Sequence, residues 1–131
     1  MGLTAIDALA DTSAFIALER RRPLRTPIPE RLAVSCVTIG ELIAGLLAAP
    51  TPSEQDRRLR TLLQANRLLP LRVDSQVAHA WAELRAALRA SKRTLDTNDS
   101  WIAATAIAHG LPIVTQDDDY VHVPGLDVIR V

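Results

Sequence analysis

One cysteine, one lysine and four aromatic residues in a chain of 131 leave several kinds of chemistry with little to work on. Cys36 has no partner for an internal disulfide, which suits a reducing compartment. Phe15, Trp81, Trp101 and Tyr120 are too few for a platform on which successive bases stack. No apolar run approaches the roughly 18 residues of a membrane span, and the opening stretch MGLTAIDALAD lacks a basic region followed by an apolar one. A cytoplasmic location without a membrane is therefore expected. A Gly-rich phosphate loop is missing too. Neither sign of charge dominates: 15 basic and 15 acidic residues balance to zero, so the chain as a whole is not a polyelectrolyte binder.

What the chain does have is apolar mass and segregated charge. Hydrophobic residues make up 48 %, and the mean hydropathy is +0.11, which points to one compact domain spanning residues 1–131. Apart from Lys92 the positive charge is arginine, gathered at Arg20 to Arg25, Arg57 to Arg60 and Arg85 to Arg93. Patches of this kind permit nucleic-acid contact without proving it.

Strand-like and helix-like stretches alternate. Leu3 to Ala10 is a weak strand candidate, Ala-rich and interrupted by Asp7, and Ala14 to Glu19 reads as a helix. Leu32 to Val37 is a second strand with Cys36 in its core, and the helix after it carries Leu42, Ile43, Leu46 and Leu47. Ser53 is placed to cap a third helix, on which Leu59, Leu62, Leu63 and Leu69 form a buried stripe. Leu71 to Val73 reads as a third strand. Asp74 caps a helix with Val77, Trp81, Leu84 and Leu88 at helical spacing. A helix over Ile102 to His109, a strand at Ile113 and Val114, and a last strand over Leu126 to Val131 complete the series. This order predicts a three-layer α/β fold, with a mostly parallel central sheet of about five short strands flanked by helices.

The stretch from Asp96 to Tyr120 organises the chemistry. Asp96 and Asp99 precede a helix, and Asp117, Asp118 and Asp119 follow a strand, so both clusters should arrive at one edge of a parallel sheet. Asp11 follows the first strand, and Glu41 lies early in the second helix. Each acid has an ordinary structural explanation. Asp11 and Asp96 can be N-caps, Thr38 and Glu41 match a capping box, Asp99 suits the helix dipole, and Asp117 to Asp119 can form an Asx-turn. Their common edge is what those explanations leave out. Carboxylates gathered together repel unless a cation lies between them, and a few oxygen ligands suit Mg²⁺ or Mn²⁺. Such an ion makes phosphodiester hydrolysis feasible. Arg85, Arg89 and Arg93, at four-residue spacing, line a helix face leading toward Asp96 and are the candidates for gripping the phosphates of a nucleic acid.

These motifs resemble the PIN-domain ribonucleases, in particular the VapC-type toxins of bacterial toxin–antitoxin pairs. The resemblance runs over nearly the whole chain: Asp11-Thr12-Ser13, Glu41 in TIGELIAGL, NDSWIAATAIAHGLPIVTQDDDY and a short terminal strand. It implies metal-binding acids at Asp11, Glu41, Asp99 and Asp117, with Asp119 as an accessory, and supporting hydroxyls at Ser13 and Thr115. It also implies a Mg²⁺- or Mn²⁺-dependent endoribonuclease that cuts cellular RNA and slows growth, a homodimer, and a small cognate VapB-type antitoxin. The Ala-rich first strand with Asp7 inside it departs from the family pattern. Asp96 is an extra acid, kept as a support for Asp99, and extended geometry would turn Asp117 and Asp119 the same way and Asp118 the other. Ala103, Ala104 and Ala106 would allow a close helix contact in a dimer. The acid pocket and the leucines of the Leu59 to Leu69 helix suggest how the antitoxin acts: an amphipathic segment docks there and sends a cation toward the acids.

Two other functions compete. A receiver-like signalling module would typically need a lysine after its last strands, and the lone Lys92 lies at the end of a helix. A catalytically inert PIN-fold RNA-binding or regulatory module would be expected to lack acids, and here every position is filled.

Overall fold

The computed structural model describes residues 5–131. Five parallel strands form one sheet: β1 (Ala8–Ala10), β2 (Leu32–Ser35), β3 (Leu69–Leu71), β4 (Ile113–Thr115) and β5 (Val128–Arg130). Five helices connect and cover them: α1 (Thr12–Glu19), α2 (Cys36–Leu47), α3 (Pro52–Ala65), α4 (Ser75–Ala90) and α5 (Thr97–Ala108). Successive strand residues point to opposite faces, and both faces are filled here. Leu9, Ala33, Leu71 and Ile113 join Leu84 and Leu88 of α4 and Ile102 of α5 in one core. Ala8, Ala10, Val34 and Val114 join Phe15, Leu42 and Leu62, from α1, α2 and α3, in the other. Burial on both faces is why these strands read as apolar runs rather than alternating ones, and it produces the expected three layers.

The strand order β3-β2-β1-β4-β5 fixes where a site can form. From β1 the chain winds outward to β2 and β3, then returns to start β4 on the other side of β1. The order therefore reverses between β1 and β4, and the crevice at their carboxyl ends is the ligand position in open α/β sheets. Asp11 directly follows β1, and its N–H donates to the Val114 carbonyl of β4 at 3.0 Å.

Packing shifts several sequence expectations. β2 ends at Ser35 because the Ser35 hydroxyl accepts from the Val37 N–H at 3.1 Å and caps α2. Cys36 therefore opens a helix and is exposed rather than core. Thr38 falls inside α2 and is buried, so the Thr38–Glu41 capping box does not form. Thr51, not Ser53, caps α3, since Pro52 takes the first helical position, where its fixed φ suits the helix and no N–H is required. β3 lies two residues earlier than expected and tolerates Pro70 because it is an edge strand. At the N-terminus, Leu3 and Thr4 of the expected first strand lie outside the described residues. Asp7 precedes β1 and pairs with Arg31 at 3.0 Å. β4 continues to Thr115, and the last strand is confined to Val128–Arg130.

Two corrections concern surfaces. Of the expected leucine stripe only Leu62 is buried, because α3 turns Thr61, Leu62 and Ala65 inward and leaves Leu59, Leu63 and the following Leu69 exposed. Ala103, Ala104 and Ala106 are wholly buried inside the chain and cannot form a dimer contact. Leu62→Ala should accordingly cost about 2–5 kcal/mol in urea unfolding, as core leucine truncations do. Leu63→Ala should stay within about 0.5 kcal/mol, the range of surface changes. Equal losses at both positions would contradict this orientation of α3.

Candidate active site

Asp11 is the best-defined acid. Only 2 % of it is exposed, and it is the N-cap of α1 as expected. Its Oδ1 accepts from the Ala14 N–H at 3.0 Å and the Ser13 hydroxyl at 2.7 Å, while Oδ2 accepts from the Thr115 hydroxyl at 2.6 Å. The capping and site explanations are therefore both true of one side chain. Ser13 and Thr115 also bind the segment that follows β4: the Gln116 N–H donates to Ser13 Oγ at 2.9 Å and the Asp117 N–H to Thr115 Oγ1 at 2.9 Å. Two hydroxyls thus lock the Asp11 carboxylate to the backbone that carries Asp117. Burial nevertheless pushes the Asp11 carboxyl up to about 6, against the pull of Thr115, Ser13 and Ala14, and the Asp117 charge adds to the rise.

Asp99 lies in the first turn of α5, which Asp96 caps through the Asn98 N–H at 3.2 Å. Burial raises Asp99 to about 6; the Tyr120 hydroxyl opposes the rise, and the Asp96, Asp11 and Asp117 charges reinforce it. Asp117 is raised as well, first by burial and then by Asp119. These mutual effects unite Asp11, Asp99 and Asp117, with Asp96 and Asp119 at the margin. The residues after β4 form a turn rather than an extended segment, so strand alternation does not apply to them. Asp118 is tied to Arg130 at 2.9 Å. Glu41 is held one step away, where its Oε1 accepts from the Thr12 hydroxyl at 2.7 Å.

Tyr120 is the residue that sequence reasoning passed over, counting it only as an aromatic. It is fully buried, and its hydroxyl makes no hydrogen bond of ordinary geometry, although it faces Asp99 closely enough to favour the ionised carboxyl. Burial and the surrounding acids push its own ionisation far up, so it remains a phenol with a proton to donate. The available signal was its position, directly after three aspartates.

The donor set suits a hard divalent cation in its chemistry, being carboxylate oxygens with hydroxyls behind them. Neither Asp11 nor Asp99 has a salt-bridge partner among the described residues. As the side chains stand, no three His, Cys, Asp or Glu among the described residues are gathered to hold an ion. Of the expected RNA-contacting residues, Arg93 lies beyond the end of α4 at Ala90 rather than on its face, yet Arg85, Arg89 and Arg93 share one cleft, and Arg85 lies 5.6 Å from the centre of the Trp81 ring, which stacks on Trp101 at 4.4 Å.

Comparison with known proteins agrees with this geometry. The profile of the PIN domain matches residues 8–126. The chain is 49 % identical over 129 residues to Ribonuclease VapC4 of Mycobacterium tuberculosis, across 95 % of this chain and 96 % of that one. This chain belongs to the PIN-domain family, among its VapC-type members. Ribonuclease VapC5 of the same organism is 42 % identical over 135 residues, covering both chains in full (100 % and 100 %). A crystal structure of a member of the VapBC family of toxin–antitoxin systems, VapBC-5 from M. tuberculosis, superposes with a TM-score of 0.87 at 39 % identity, covering 97 % of this chain and 100 % of that one. The DNA-bound VapBC structure from Salmonella typhimurium, at 24 % identity and TM-score 0.80, shares the fold.

The buried acids make this PIN domain sensitive to pH. Folding raises the Asp11 carboxyl from 3.8 to about 6, so between those values the folded state holds a proton that the unfolded chain has released. Stability of the metal-free protein should therefore fall as pH rises through that window, by on the order of 3 kcal/mol for Asp11, and stay low above it. Asp99 acts in the same direction. Urea unfolding across the window should show a shallower decline in Asp11→Asn. An unchanged slope would mean that Asp11 is not ionised at that cost.

Proposed function

We propose that this PIN domain is a metal-dependent endoribonuclease toxin, which hydrolyses RNA phosphodiester bonds, slows translation and growth, and is neutralised by a cognate VapB-type antitoxin. The observation that carries the proposal is the convergence of Asp11, Asp99 and Asp117, largely without counter-charge, at the point where the strand order reverses. The names of its relatives, Ribonuclease VapC4 and Ribonuclease VapC5, support RNA as the substrate. Asp11, Asp99 and Asp117 would hold Mg²⁺ or Mn²⁺, with Glu41 and Asp119 completing the acid set. Such an ion supplies Lewis-acid polarisation of a phosphoryl oxygen. Ser13 and Thr115 keep the Asp11 carboxylate in one orientation, and the buried Tyr120 turns its hydroxyl toward Asp99. Arg85, Arg89 and Arg93 would meet phosphates farther along the strand; Arg89→Ala with unchanged salt dependence of binding would remove that face.

Added Mg²⁺ or Mn²⁺ should raise the melting temperature, since binding at about 100 times Kd is worth about 2.7 kcal/mol. Asp99→Asn should show a smaller rise. With no capping box at Thr38, Glu41→Gln leaves the α2 cap intact, so cleavage should collapse while the circular dichroism spectrum is unchanged. Sequencing RNA 5′ ends after induced expression, beside Asp11→Asn, identifies the target. Inactivity of the isolated protein across metals and RNAs would favour the inert RNA-binding alternative.

The VapBC structural neighbours support an antitoxin partner. A cleft of about 220 Å³ between α1, α2 and α3 opens beside Thr12 and Glu41, with Ile16 and Leu42 in its wall. Exposed Leu18, Ile43, Leu47, Leu59 and Leu63 lie on the same three helices. An amphipathic segment docked there could send a guanidinium toward the acids in place of the ion. Co-purified complex should be inactive in Mg²⁺, and changing the partner's basic residue to alanine should restore cleavage; continued inactivity would point to simple occlusion. The homodimer stands as part of this proposal, with its surface away from the buried α5 alanines, and light scattering of the isolated chain tests it.

A further inference from the structure

Helix α1 ends, as α4 does at Lys92 (φ 57°), on a non-glycine residue in left-handed backbone. The Arg22 N–H donates to the Ala17 carbonyl at 2.9 Å and the Arg21 N–H to the Leu18 carbonyl at 3.2 Å, which is a Schellman turn. The residue in left-handed backbone there is Arg21, with φ 53°, where glycine is the usual occupant. Helix α5 ends in the same turn on Gly110, with φ 64°. A strained non-glycine residue persists where the surroundings over-determine it, and such residues cluster at functional sites. The turn at Arg21 brings residues 22–25 to the carboxyl edge of the sheet. There the Gln116 side chain fastens them, donating to the Pro23 carbonyl at 3.2 Å and to Val131 O at 3.3 Å.

The result is a cleft of about 390 Å³ enclosed by Arg22, Arg25 and Arg130, with Gln116 in its wall. That volume lies within the usual range of ligand pockets, roughly 300–1,000 Å³. Arg130 Nε donates to Asp118 at 2.9 Å and Nη1 to Val131 O at 2.6 Å, so its guanidinium is held in place with Nη2 left over. Arg22 and Arg25 are exposed and form no salt bridge among the described residues. Of these three guanidiniums only that of Arg130 is paired with a carboxylate side chain among the described residues. The cleft borders the acids directly, since Gln116 precedes Asp117, and the charges of Arg130 and Arg22 both act on Asp117. A cluster of cations beside a cluster of acids is the arrangement that a phosphodiester and a hard cation would satisfy together. Guanidinium matches phosphate oxygens through paired N–H donors. The Arg85, Arg89 and Arg93 cleft approaches the segment after β4 only through Arg93, which also lines an adjoining cleft with Asp119 and His122, and Arg85 is partly committed to Trp81.

We propose that the cleft of Arg22, Arg25 and Arg130 is a phosphate subsite, binding the RNA phosphodiester next to the one that is cut. This rests on the ribonuclease function proposed above.

The test measures binding of a fluorescein-labelled single-stranded RNA at several salt concentrations, in an Asp11→Asn parent that should hold RNA without cutting it. Adding Arg22→Gln and Arg25→Gln should lower the log–log salt slope by about 0.7 for each phosphate no longer neutralised, hence about 1.4 for the pair. Arg25→Gln alone, which leaves the Arg21 turn untouched, should lower it by about 0.7. Arg67→Gln with Arg72→Gln removes equal charge from exposed positions outside the cleft and should leave the slope at the parent value. A parent-like slope in the cleft variants, or an equal drop in the control, overturns the subsite while leaving the nuclease function standing. A parent that binds no RNA, together with an unmutated chain that cuts none, overturns both.

Discussion

The burial of one carboxylate governs this structure. Asp11 sits at the end of the central strand, where water is excluded and no cation pairs with it among the described residues. Three donors, from Ser13, Ala14 and Thr115, offset part of the desolvation, yet the carboxyl still ionises only near 6. That balance constrains everything around it. α1 must start at Thr12 to supply the Ala14 N–H, β4 must lie beside β1 to present Thr115, and the turn after β4 must follow from Thr115 to set Asp117. A single hydrogen-bonded unit therefore joins helix start, strand pairing and acid cluster.

Charge is sorted around that unit by topology rather than by local composition. The reversal of strand order between β1 and β4 opens a crevice at their carboxyl ends, and the acids collect in it. The ends of α1 and of β5 bring guanidiniums to the neighbouring cleft. A chain of zero net charge can in this way present opposite potentials side by side, which net charge alone would not reveal. The same sheet explains how an Ala-rich β1 works as a central strand: its residues are buried on both faces, with Leu9 in one core and Ala8 and Ala10 in the other.

The sequence expectations that succeeded rest on short-range physics. Asp11, Asp74 and Asp96 are N-caps because an aspartate before an apolar helical run can accept from the first-turn N–H groups. Val77, Leu84 and Leu88 are buried because helical spacing puts them on one face. Expectations failed where two local solutions competed. Ser35 and Thr38 are both cap residues, and Ser35 prevailed because β2 must end there for α2 to cover the sheet. Leu59, Leu62 and Leu63 all lie near one helix stripe, and contact with α1 and α2 selected Leu62.

By itself the sequence determined the α/β class and the order of elements and singled out the candidate acids, since caps, periodicity and the NDSWIAATAIAHGLPIVTQDDDY motif all act within a few residues of chain. The tertiary structure alone decided that Asp11, Asp99 and Asp117 share one environment and that Tyr120 is buried close to Asp99. It also placed Arg130 around one cleft with Arg22 and Arg25, which lie about a hundred positions before it. The physical reason is that desolvation and Coulomb interaction depend on distance in space. That distance is set by strand pairing between β1 and β4, whose residues stand about a hundred positions apart in the chain.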